Sequence, residues 1–265
     1  MEVLSEQTGS GSTLPDPKFI DILRLKLQTF VGLVFYLPFS IFTISLMRYM
    51  RGYKIINLTD VRAQFKEVAR DGRPLVICSN HLTFIDSAIM LWAMGSNTWY
   101  QFHYRYFSWN LPAGDFFKKK FIFRAVAYLG KCIFIHRDGS REHKNMILGL
   151  CKYLVSKGKV VTIFPEGRRS RKGVFEDDHV TLGASQIVTS VPGCRVLCVY
   201  LRSDKQKHFS NYPAKDSQFY LLMELIEPKT EKQGRRALID ISAQIGQTIK
   251  KLEDNYFAKF GRPDL

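Results

Sequence analysis

The sequence predicts an α/β fold, a central and mostly parallel sheet flanked by helices, preceded by an N-terminal helical segment that associates with a membrane. Three observations carry this expectation. After Tyr53, short and nearly continuous apolar runs alternate with stretches of helical periodicity. The runs lack the in-and-out alternation of half-exposed strands, as befits strands covered on both faces. Ahead of them, residues 30–47 carry no charge over a length close to the roughly 20 apolar residues that span a bilayer as a helix.

Residues 1–15 are polar and rich in Ser and Gly, so they read as a disordered tail. No basic stretch leads directly into an apolar one there, which argues against a secretory signal. Residues 16–53 form the anchoring segment. Pro38 stands near the middle of its apolar stretch, where it removes a backbone donor and kinks a helix or splits it into a hairpin. Arg24 and Lys26 precede the stretch, and Arg48, Arg51 and Lys54 follow it. Basic residues at both ends favour a monotopic, re-entrant anchor with both ends on the cytoplasmic, anionic face. A kinked single span and a buried hairpin of a soluble domain are the alternatives.

Residues 54–265 form the α/β domain. Strands are expected at 74–79 (PLVICS), 132–136 (CIFIH), 160–164 (VVTIF), 196–201 (VLCVYL) and 219–226 (FYLLMELI). Helices are expected at 59–70, 87–94, 142–156 and 179–190. A last helix repeats Leu238, Ile241, Ile245, Ile249 and Leu252 at three-to-four spacing, a stripe suited to core packing. The run Trp99 to Trp109 is rich in aromatic residues and suits an interfacial belt or the wall of an apolar channel.

At 265 residues and 46% hydrophobic content the chain can bury one sizeable core. Its net charge of +15 suits a polyanionic partner, nucleic acid or anionic lipid. The basic residues cluster around the motifs described below and around the apolar segment, and no nucleic-acid fold signature is present, so a membrane surface is the expected partner and nucleic acid is not. Five cysteines, odd in number and without a CxxC pair, read as reduced core thiols, and no metal site is expected.

Two segments carry candidate chemistry. In CSNHLTFID a strand runs out into Asn80 and His81, with Asp86 five residues after the histidine. If 82–87 turns helically, with Asn80 as its cap, the Asp86 carboxylate reaches one imidazole nitrogen and leaves the other facing outward. Such a pair suits removal of a proton from a hydroxyl. In VVTIFPEGRRSRK a second strand ends in Pro165, Glu166 and Gly167, followed by Arg168, Arg169, Arg171 and Lys172. Pro and Gly set a tight turn, and guanidinium forks match phosphate oxygens, so Arg168 or Arg169 is expected to hold phosphate. Glu166 is either an ion-pair partner of this cluster or a hydrogen-bonding group for a glycerol hydroxyl. Arg137, closing YLGKCIFIHR, adds a further cation at the same edge if the strands are parallel. No serine lies in a GxSxG elbow, which argues against a serine hydrolase.

In this order and spacing the two segments resemble the glycerolipid acyltransferase family, which includes the glycerol-3-phosphate and 1-acylglycerol-3-phosphate acyltransferases. The resemblance covers most of the chain after Tyr53. It implies catalytic roles for His81 and Asp86, acceptor binding by Glu166, Gly167 and Arg169, and phosphate binding by Arg137. Arg168 stands where the family usually has Thr, which implies a stronger phosphate contact or a different acceptor. Gly130 is displaced by one position from the family's second block, and Cys198 stands where the fourth normally has proline. The activity implied is transfer of a fatty acyl group from acyl-CoA or acyl carrier protein, as co-substrate and without a cofactor, to the hydroxyl of a lysophospholipid. The expected acceptor is 1-acylglycerol-3-phosphate, giving phosphatidic acid. An ornithine-type lipid, a glycolipid or a polyene is the alternative acceptor.

Overall fold

The structure, a computed structural model, describes residues 14–114, 121–136, 139–177 and 180–262. It is a six-stranded sheet with helices on both faces. In chain order the elements are α1 (Phe19–Val34), α2 (Tyr36–Ser45) with a π-helical turn (Leu46–Met50), β1 (Lys54–Ile55), α3 (Leu58–Arg70), β2 (Leu75–Ser79), α4 (Asp86–Met94) and α5 (Asn97–Phe102). After these come β3 (Trp109–Asn110), α6 (Phe121–Leu129), α7 (Arg141–Ser156), β4 (Val161–Ile163), α8 (Gly183–Ser190), β5 (Arg195–Ser203), β6 (Gln218–Ile226) and α9 (Gly234–Phe260).

The strand order is β1-β6-β5-β2-β4-β3. Strands β5, β2, β4 and β3 are mutually parallel, β6 runs antiparallel to β5, and β1 runs parallel to β6. The mostly parallel sheet is therefore present in its centre and reversed at one edge. Strand β2 is buried along its whole length. Its side chains alternate between two cores. Val76 and Cys78 pack with α7, α8 and α9, and Leu75 and Ile77 pack with α3, α4 and α5.

The expected strand at 132–136 is not a ladder strand. It makes only isolated bridges, Asn110 to Cys132 and Ala113 to Ile135. Two causes are visible. Lys131 adopts a left-handed backbone (φ +51°) that swings the chain out of α6. Pro112, lying between the two bridges, has no N–H to continue the pairing, although its carbonyl accepts from the Ile135 N–H. The helix expected at 179–190 is α8, which begins at Gly183; residues 180–182 are not helical and residue 179 lies outside the described residues.

The N-terminal segment is a bent pair. Among the described residues no single helix is long and apolar enough to cross a membrane, but α1 and the stretch Tyr36–Met50 have that length and composition together and meet at 65°. Their burial is inverted relative to a soluble helix. On α1 the buried residues are Leu25, Gln28 and Gly32, while Phe19, Leu23, Leu27, Phe30 and Val34 lie exposed. On α2 the buried residues are Tyr36 and Ser40, while Ile41, Phe42 and the preceding Phe35 lie exposed. The inner faces attach by polar and close contacts: the Gln28 amide donates to the Tyr128 and Cys132 carbonyls, and the Gly32 backbone lies so near the Tyr104 hydroxyl that a Cβ would approach it to 2.4 Å.

Candidate active site

The parallel register brings the two motif segments to one edge. Cys78 of β2 pairs with Ile163 of β4, so Asn80 and Phe164 leave the sheet side by side at the strand C-termini, where open α/β sheets gather their ligands. Asn80 is not a helix cap. Its side-chain amide donates to the Leu201 carbonyl and its Oδ1 accepts the Leu201 N–H, a two-bond clamp onto β5 that fixes where the chain turns. The segment 82–85 is a turn rather than helix, and α4 begins at Asp86 itself.

The turn places the acid and the base together by another route than a helical one. Asp86 Oδ2 lies 3.0 Å from His81 Nδ1 and also accepts the backbone N–H groups of Leu82 (2.7 Å) and Thr83 (2.8 Å). Its Oδ1 accepts the Thr83 hydroxyl. With the carboxylate at the start of a helix and fixed by three donors besides the ring, Nδ1–H is the tautomer it selects. That leaves the Nε2 lone pair free, and no described residue bonds to it. Phe164 stacks flat on the imidazole, with centroids 4.1 Å apart and an interplanar angle of 18°, and so sets the ring plane. The aspartate side chain is 5% exposed and that of the histidine 16%, so the carboxylate is sealed while the imidazole reaches the surface.

The second motif wraps around the first. The His81 N–H donates to Glu166 Oε1 at 3.1 Å, and the His81 carbonyl accepts the Ser170 N–H at 2.8 Å. Gly167 takes a left-handed φ of +64° at the turn that allows this return. Glu166 is buried, and burial pushes its carboxyl up to about 8, with neighbouring Glu176 and Glu253 adding to the rise and the N–H groups of His81 and Glu176 opposing it. Glu166 forms no described ion pair with the basic cluster. Glu253, from α9, accepts the Phe175 N–H and the Tyr200 hydroxyl and so pins the chain after the motif turn.

The basic residues are partly committed. Arg168 is half-exposed and pairs with Glu176 at 3.0 Å. Arg169 Nη1 donates to the Ser210 carbonyl and Asn211 Oδ1, with its guanidinium over the Phe209 ring. The same loop bonds to the His81 turn through the Ser210 N–H and the Leu82 carbonyl, so Arg169 and His81 share one rim. Nε and Nη2 of Arg169 have no partner among the described residues. Arg171 and Lys172 are exposed on the same turn. Arg137 lies outside the described residues. The structure thus gathers His81, Asp86, Glu166 and Arg169, sets Gly167 at their turn, and holds Arg168 beside them on Glu176.

An apolar cavity of about 180 Å³ adjoins this edge. Its wall includes Phe39 and Ile44 of α2, Phe84 and Ile85 just before Asp86, and Val126 of α6. The aromatic run from Trp99 to Trp109 proves to be mainly core. Tyr100, Tyr104, Tyr106, Phe107 and Trp109 are buried, Tyr100 and Phe107 reach the cavity wall, and Phe102 is exposed. Sequence reasoning missed Thr83 and Phe164 as supports of the base. Thr83 was findable in principle, because a sealed carboxylate needs donors and its motif supplies one.

A family model described as Acyltransferase matches residues 60–203, more than half of the chain. The chain belongs to the glycerolipid acyltransferase family. The matched span of this acyltransferase runs from α3 to the end of β5 and takes in both motif segments. A comparison with curated proteins returns no match.

Proposed function

We propose that this acyltransferase moves a fatty acyl group from the thioester of acyl-CoA or acyl carrier protein to the free hydroxyl of 1-acylglycerol-3-phosphate, at the cytoplasmic face of a membrane. One observation carries the reading: an imidazole with a free Nε2, backed by a sealed carboxylate, shares a rim with the Arg168 and Arg169 turn. His81 Nε2 takes the hydroxyl proton as the acceptor oxygen attacks the thioester carbonyl. Collapse of the tetrahedral species breaks the C–S bond, and the departing thiolate takes the proton back from the imidazolium. Asp86 holds the tautomer and stabilises the charged ring. The unbonded edge of Arg169, with Arg168 and, outside the described residues, Arg137, supplies cations for the acceptor phosphate. The apolar cavity suits a hydrocarbon chain. The outward apolar faces of α1 and α2, flanked by Arg24, Lys26, Arg48, Arg51 and Lys54, support a re-entrant anchor on an anionic leaflet.

The test offers purified full-length protein labelled acyl-CoA and acyl carrier protein together with lysophosphatidic acid, uncharged lysolipids and amino-acid lysolipids. Phosphatidic acid is the expected product, and His81→Ala is expected to lower turnover about 100-fold to 10,000-fold. Wild-type transfer by the alanine variant would sink the mechanism. Preference for an uncharged acceptor would remove the phosphate role.

A further inference from the structure

We infer that α6 is a third membrane-contacting element, and that the seam between α2 and α6 is a side portal through which a lipid chain passes from the bilayer into the cavity. This rests on the reading above that the acceptor is a membrane lipid. Helix α6, FIFRAVAYL, buries only Ala127 among its nine residues. Phe121 is 83% exposed and Ile122 69%, values that a water-facing helix seldom gives to its largest apolar side chains.

Three observations say what covers them. First, α6 is continuous with the inverted face of the N-terminal pair: α1 packs on it, and Gln28 clamps the two through the Tyr128 and Cys132 carbonyls. The outer surfaces of α1, α2 and α6 thus make one apolar plate. Second, the charge on and around the plate is basic. Arg24, Lys26, Arg48 and Arg124 are exposed within or beside it. Hydrocarbon within and cations at the margin match the profile of an anionic leaflet. Third, Val126 belongs to the plate and the cavity at once: it is 47% exposed, and it lines the cavity together with Phe39 and Thr43 of α2. The cavity therefore reaches the surface on the apolar plate, and a chain leaving the bilayer sideways arrives beside Phe84 and Ile85, next to Asp86, without crossing water.

The test uses the full chain on vesicles of phosphatidylcholine with a minority of phosphatidylglycerol. In Ile122→Trp, the added indole is expected to be quenched by lipids brominated along their chains. In F121D/I122D, vesicle binding falls by about tenfold or more, the loss expected when two inserted apolar side chains become charged. Transfer to vesicle-embedded long-chain acceptor falls with it, whereas transfer to a short-chain acceptor dissolved as monomers stays at the wild-type rate, which also reports that the variant is folded. Val126→Trp, which narrows the seam, is expected to bind vesicles as wild type does and to slow long-chain transfer several-fold. An unquenched indole, or wild-type vesicle binding by F121D/I122D, overturns the membrane contact, as does an equal loss on both acceptors. Undiminished long-chain transfer by Val126→Trp overturns the portal. Absence of transfer by the wild type removes the acceptor reading and the portal with it, while bromolipid quenching still decides the contact of α6 by itself.

Discussion

Glu166 is the residue whose protonation the fold changes most consequentially near the base. Folded, its carboxyl keeps its proton up to about pH 8, whereas the unfolded chain releases it near the ordinary 4.5. Between those values the native state binds more protons than the unfolded state, so the stability this group contributes is complete below 4.5 and drains away as pH rises to about 8. Glu166→Gln, which keeps the shape and a carbonyl for the His81 N–H, is expected to flatten the fall of melting temperature across that window. Parallel curves for the two proteins would place the proton elsewhere. The His81 and Asp86 pairing was legible from their spacing taken with their place just after an apolar strand run, but its route was not. A helical turn was expected, whereas a turn held by Asp86's own hydrogen bonds was found. Asn80 was misread because its partner, Leu201, stands 121 positions along the chain, and short-range pattern carries no trace of such a bond.

At the scale of elements, strands β2, β4 and β5 were readable because each is an apolar run buried on both faces. The segment 132–136 has the same composition, and what denies it a ladder is a missing donor at Pro112, a neighbour in space only. The inverted burial of α1 was not readable either, since composition gives the charge-free run without saying which side turns outward. Its docking is sharply fitted at Gly32. Adding a methyl there forces the Tyr104 hydroxyl away from 2.4 Å, so Gly32→Ala is expected to destabilise by about 1–3 kcal/mol. The hydroxyl itself is buried and has no hydrogen-bond partner among the described residues, so Tyr104→Phe is expected to be neutral or mildly stabilising. In the Tyr104→Phe background, where the next ring atom stands at 3.5 Å, Gly32→Ala should cost little. Equal penalties in both backgrounds, measured by denaturant unfolding, would show that the contact is not what limits the site.

At the scale of the molecule, the formal charge of +15 and the proposed apolar plate would address an anionic membrane by different physics. Added salt is expected to weaken attachment to anionic vesicles while leaving a residual affinity that uncharged vesicles also show, because screening acts on the cations and spares the hydrocarbon contact. Complete release at high salt in a sedimentation assay would reduce α1 and α2 to bystanders. The match to the family stops at residue 203, yet Glu253 lies fifty residues beyond it and anchors the backbone at Phe175. The C-terminal helix is thus a keel for the turn of the second motif, which its own sequence does not contain. Trimming the protein to its family boundaries would leave the base and its acid in place while unmooring the loop expected to grip the phosphate.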